Sequence, residues 1–208
     1  MKRSVLLFTC FCLTLPLTAW ANSVGVSNSG GQITSNGSSL TLNGSTLIAL
    51  SGIRPGTLSG KVGNVSLTTG SLVSGSLAAG GTFAAGGSFT IAANGTRGLA
   101  GGMLFNGTFT GPVTWTATFT PNMGPNHAGA WIYTLKGNVT GTLSNGQTVS
   151  GTIMETTFDV SHGMQFSSMA NLNDGTAELT SVPEPGTLGM LATGLVGLAL
   201  LIKRRKTA

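Results

Sequence analysis

The sequence predicts an all-β fold: an antiparallel β-sandwich or barrel-like domain of about 10 to 12 strands, flanked by an N-terminal signal peptide and a single C-terminal transmembrane helix. Three observations carry the prediction. Apolar and small polar residues alternate with period two, no stretch of residues 22–181 sustains a 3.6-residue apolar period, and Asn-Gly pairs recur beside the alternating runs.

The clearest strand is 113–119, where Val113, Trp115, Ala117 and Phe119 alternate with Thr114, Thr116 and Thr118. In chain order the same alternation marks 39–42, 46–50, 62–68, 71–77, 88–92, 103–110, 131–143, 148–160 and 176–182. β-branched and aromatic residues dominate these runs, as a pleated, half-buried surface favours. Turns are expected at Asn36, Asn43, Asn94, Asn106 and Asn145, each followed by Gly, and at Asp174-Gly175, because Asn and Gly tolerate the positive φ of a tight hairpin. All ten aromatic residues of 22–181 fall between Phe83 and Phe166, so the later half is expected to hold the denser core. A Gly-polar-apolar unit recurs around Gly70, Gly75, Gly81 and Gly87, but its spacing is too irregular for a solenoid. The Gly-rich stretch 78–87 reads equally as a connector or as a strand with bulges.

Both ends read as addresses. Residues 1–21 combine Lys2 and Arg3, an apolar run, and Ala19-Trp20-Ala21, in which the small residues Ala19 and Ala21 form a signal-peptidase site before Asn22. The run is shorter than the ~20 residues of a membrane span, which favours a cleaved leader over an anchor. Cys10 and Cys12 lie inside it, so residues 22–181 contain no thiol and no disulfide. At the other end, 186–202 is uncharged and apolar apart from Gly and Thr, and Lys203, Arg204, Arg205 and Lys206 follow at once. That pattern reads as a stop-transfer helix with a cytoplasmic basic tail, leaving the body outside the cytoplasm.

Val182, Pro183, Glu184 and Pro185, the apolar run and the basic cluster together resemble a PEP-CTERM protein-sorting signal over residues 182–208. The resemblance implies an exported substrate of an exosortase, a membrane-embedded cysteine peptidase that cuts near the Pro-Glu-Pro motif. It also implies a Gram-negative, polysaccharide-producing host and transient attachment to the inner membrane. The mature form would reside at the cell surface, in the outer envelope or in the extracellular matrix. Exosortase and signal peptidase are the expected processing partners, and extracellular polysaccharide is a further candidate. The physics agrees, since two prolines hold the motif extended and outside any helix. The activity of residues 22–181 is not addressed by the signal.

Charge narrows the classes. Residues 22–181 hold Arg54, Lys61, Arg97 and Lys136 against Glu155, Asp159, Asp174 and Glu178, a neutral balance with no basic run, which excludes nucleic acid as a partner. Charged residues make up 7% of the chain, far below the roughly 25% of ordinary globular domains, which argues against most soluble intracellular enzymes.

Chemistry-bearing groups are correspondingly few. Glu155 and Asp159 are four apart on one expected strand, hence on one face, with His162 close behind: a paired-carboxylate glycosidase arrangement in outline. A solvated strand face and turn is the preferred reading, because neither carboxylate sits among residues that would shift its pKa. His127 lacks nearby partners for a metal, and Asn171, Asn173 and Asp174 lack the closing Glu of a Ca²⁺ loop and are expected to form a turn. No metal and no cofactor is expected. Asn-x-Ser/Thr occurs at Asn36, Asn43, Asn64, Asn94, Asn106 and Asn138, a pattern that composition and turns largely account for. Trp115, Trp131 and Tyr133 would stack on sugars if exposed, but their alternation points to a core. The expectation is a non-enzymatic envelope or matrix protein, with a carbohydrate-binding module or adhesin as the alternative.

Overall fold

The computed structural model describes residues 23–123, 129–159 and 165–181, together with Gly194, Leu195 and Gly197. The body is all-β. Its strands are β1 (Ser23–Ser29), β2 (Gln32–Ser35), β3 (Leu40–Ser51), β4 (Leu58–Thr68), β5 (Leu72–Ser76) and β6 (Gly80–Phe83). They continue with β7 (Gly86–Ala93), β8 (Gly102–Phe109), β9 (Val113–Thr120), β10 (Ala130–Leu143), β11 (Thr148–Asp159) and β12 (Met169–Ser181). Every pairing is antiparallel, and β3, β4, β7, β8, β10, β11, β12 and β1 close into a ring of eight. Of the two architectures expected, the barrel is the one formed.

The remaining strands extend existing staves. β2 continues β1 between β12 and β3, β5 and β6 continue β4 and β7, and β9 continues β8 along β10. The result is an up-and-down meander in which each stave pairs with the next and the last with the first, leaving no open edge along the ring. The breaks have local causes. Gly30 and Gly31, at φ 68 and 81, kink the first stave, and Pro112, between β8 and β9, cannot donate to the ladder with β10.

Alternation decides which face is inside. Val24, Val26, Leu42, Leu47, Val65, Leu67, Phe89, Ile91, Val139 and Ile153 are buried, while the intervening Ser, Thr and Asn face outward. This polarity is the reverse of a membrane-spanning barrel, which turns apolar residues outward. The core is denser in the later staves, as expected: Phe83, Phe89, Phe105, Phe109, Trp115 and Tyr133 are all buried there. Inward glycines make room for these rings, since a Cβ on Gly137 would lie 2.7 Å from Phe109 Cδ1 and one on Gly107 2.5 Å from Phe105 Cζ.

Several sequence expectations are corrected. Asn36-Gly37, Asn94-Gly95 and Asn145-Gly146 lie in connections, but Asn43-Gly44, Asn106-Gly107 and Asp174-Gly175 lie within strands. The Asn43-Gly44 pair forms a bulge that joins the two expected strands into β3. The expected turn at Asn171–Asp174 is likewise strand, paired with β2 and β1. Of the two readings of 78–87, the strand is the one formed, as β6 and the bulged start of β7. β1 and β2 escaped the sequence reading. Residues 1–21, 182–185 and 203–206, His127 and His162, and 186–202 apart from Gly194, Leu195 and Gly197, lie outside the described residues.

Candidate functional site

The most distinctive chemistry of the body is inside it. Glu155, on β11, points inward together with Ile153 and Thr157 and is 0% exposed. Asn28, at the inward phase of Val24-x-Val26-x-Asn28, reaches it across the seam where the last stave meets the first. Asn28 Nδ2 donates to Glu155 Oε2 at 2.9 Å and to Ser45 Oγ at 2.8 Å. Ser45 follows the β3 bulge, which turns its side chain inward, where it is also 0% exposed.

Gly175 completes the arrangement. It is the β12 partner of Glu155, and a Cβ there would collide with the carboxyl group. Two oxygens in the cluster, Glu155 Oε1 and Asn28 Oδ1, are buried with no hydrogen-bond partner among the described residues. Burial pushes the Glu155 carboxyl up to about 8; the Asn28 hydrogen bond opposes this shift and the negative charge of Asp174 adds to it. Glu155 is therefore a neutral acid at pH 7, sealed from solvent. This corrects the expectation of a solvated strand face with an unshifted carboxylate. Asp159 ends β11, and its side chain lies outside the described residues. The glycosidase arrangement has no opening to a sugar at Glu155.

Next to this cluster, two residues further along the β10–β11 ladder, aromatic rings fill the end of the barrel away from Ser23 and Ser181. Trp115 and Tyr133 stack with centroids 5.0 Å apart, and Phe166 packs edge-on against both. Trp115 Nε1 donates to Leu77 O and Tyr133 Oη to Ala78 O, both at 2.9 Å, while the Phe166 backbone N–H donates to Tyr133 Oη at 2.7 Å. Two connections are thus latched to the core through one phenol and one indole. The core assignment of Trp115 and Tyr133 holds. Trp131 is partly buried beside Phe119, which is 44% exposed, with the ring centroids 5.2 Å apart. Among the described residues, Phe119 is the exposed ring at that end.

The outer wall is polar and hydroxyl-rich. Thr140 pairs with Ser150 and Ser66 with Thr90 through hydroxyl contacts of 2.7 Å. The asparagines of all six Asn-x-Ser/Thr triplets are exposed. Among the described residues no group of three or more His, Cys, Asp or Glu could hold a metal ion. Sequence reasoning missed Asn28, Ser45, Gly175 and Phe166. The phase of alternation around Asn28 was a usable signal, whereas the inward turn of Ser45 depends on a bulge.

β12 ends at Ser181, and there the comparisons with known proteins begin. Residues 181–206 match the PEP-CTERM protein-sorting motif. Comparison with curated proteins and with solved structures gives no match. The matched segment takes in Pro183, Glu184, Pro185 and the basic residues to Lys206. The chain thus carries a PEP-CTERM protein-sorting motif, which supports an exported protein sorted by an exosortase.

Proposed function

We propose that the barrel is a non-enzymatic component of the cell envelope or extracellular matrix. It is carried across the inner membrane by residues 1–21, held there by 186–202, and freed or transferred when exosortase cuts near Pro183 to Pro185. The observation that carries the reading is the sorting motif beginning at the final residue of the last strand, with no intervening domain. The sealed acid, the hydroxyl-rich wall and the neutral charge balance support a structural role. The intact mass of the protein recovered from its native envelope and medium tests it. A C-terminus near Pro183 to Pro185 is the expected result. A species retaining Leu188 to Ala208 would overturn cleavage, and unchanged location after deletion of 183–208 would overturn sorting.

A second reading is favoured by the exposed Phe119 ring packed against the partly buried Trp131, an arrangement that suits stacking on sugars. In that reading the barrel is an adhesin of the polysaccharide matrix. Titration of residues 22–181 with the native polysaccharide, followed by tryptophan fluorescence, would show quenching that Phe119→Ala and Trp131→Phe abolish. An unchanged spectrum removes the reading.

A further inference from the structure

Three of the four basic side chains of the barrel, scattered in the sequence at Arg54, Lys61 and Arg97, converge at one end of it. Arg54 Nη1 donates to Arg97 O at 3.2 Å and Gly98 O at 3.1 Å, clasping the β3–β4 connection to the β7–β8 connection. The Arg97 guanidinium lies over Gly60, where a Cβ would come within 2.8 Å of Nη2. The next residue is Lys61, whose carbonyl accepts from Asn94 Nδ2 and Thr96 Oγ1. All three cationic residues are exposed.

The end they occupy is the one where the chain enters and leaves. Gly52, at the start of the β3–β4 connection, packs against the Ser23 backbone. Ser23 in turn pairs with Thr180, one residue before the sorting motif begins. Glu178 is the acid at this end of β12, while Asp174 and Glu155 lie towards the opposite end. The fourth cation, Lys136, sits on the side wall, between Thr114 and Met154. An otherwise neutral barrel is thereby polarised, with its positive end at the exit of the segment bound for the membrane.

We infer that this end of the barrel is a docking surface for anionic phospholipid headgroups, which orients the barrel on the membrane before exosortase cuts. The inference rests on the sorting reading above for the tether, but its chemistry stands in the barrel alone. Each exposed Lys or Arg near an anionic bilayer strengthens binding by about five-fold, and two of the three are Arg, whose planar fork suits phosphate oxygens. Three such charges bind weakly in free solution, and a tether of a few residues raises the effective concentration enough for that to matter.

Residues 22–181, whose barrel closes on its own strands, provide the test, by co-sedimentation with vesicles at low ionic strength. Vesicles of equal parts phosphatidylglycerol and phosphatidylcholine should retain the protein, phosphatidylcholine alone should not, and added salt should release it. Lys61→Gln and Arg97→Gln should each lower the bound-to-free ratio about five-fold, while Lys136→Gln leaves it unchanged and thermal melts confirm that all three variants fold. Equal retention by both vesicles, or equal loss from Lys136→Gln, overturns the inference. So does full displacement by inorganic phosphate matched to the lipid phosphate, which would mark a free-anion site. Failure of cleavage in cells would sink the sorting reading and leave these vesicle results untouched.

Discussion

Glu155 is the residue on which the pH response of the protein turns. Its folded pKa of about 8 lies above its ordinary 4.5, so the folded state holds the proton more tightly than the unfolded one. The resulting stabilisation is complete below about 4.5 and is lost as pH rises through about 8, at roughly 1.4 kcal/mol per pH unit between. Urea unfolding at a series of pH values should therefore show stability falling across that window, and Glu155→Gln should flatten the fall. A wild-type profile that rises across the window would contradict this. Gly175→Ala should destabilise by about 1–3 kcal/mol, because the new methyl meets the Glu155 carboxyl in a packed interior. If the clash is the cause, the double variant Glu155→Ala, Gly175→Ala should lose less than the sum of the single changes. The acidity of Glu155 was illegible in the sequence because its partners come from three other strands, at positions 28, 45 and 175.

At the scale of strands and turns, the latch through Tyr133 makes a sharp expectation. Tyr133→Phe leaves Ala78 O and the buried Phe166 N–H without their partner and should cost about 1–3 kcal/mol. Hydrogen exchange should rise first in the β5–β6 turn and around Phe166, with the seam at Glu155 unaffected; uniform loss of protection would count against a local latch. Period-two alternation made most strands legible, and 113–119 was read nearly to its ends as β9. Where that signal was thin it failed. β1 and β2 have no aromatic residues and half of β6 is Gly, so their pairing is dictated by neighbours. Asn106-Gly107 and Asp174-Gly175 misled because their glycines serve an aromatic ring and a carboxyl group, not a reversal of direction.

For the whole molecule the decisive fact is closure. Residues 22–181 have no cysteine, so the ring of ladders and its apolar filling alone hold the barrel, and each stave depends on two neighbours. Deleting 23–35 removes β1 and β2 together and exposes the long edges of β12 and β3. The truncated protein should lose its cooperative melt and self-associate, measurable by calorimetry and light scattering. A soluble monomer with an unchanged transition would show that the seam is dispensable. The architecture was legible as sandwich or barrel, and the choice between them depended on β1 pairing with β12, a contact between the two ends of the body that local pattern does not encode.

Because Ser23 and Ser181 leave from the same end of adjacent antiparallel strands, the direction of pull determines how the barrel yields. A load applied between those two ends peels the β1–β12 ladder one hydrogen bond at a time, like a zip, and a small force suffices. A load entering at Ser181 and leaving through the opposite rim instead drags β12 lengthwise between β11 and β1, so that many bonds must shear together. A barrel gripped by its surroundings and pulled by its C-terminal end would thus resist as a rivet, whereas one pulled by both ends would open.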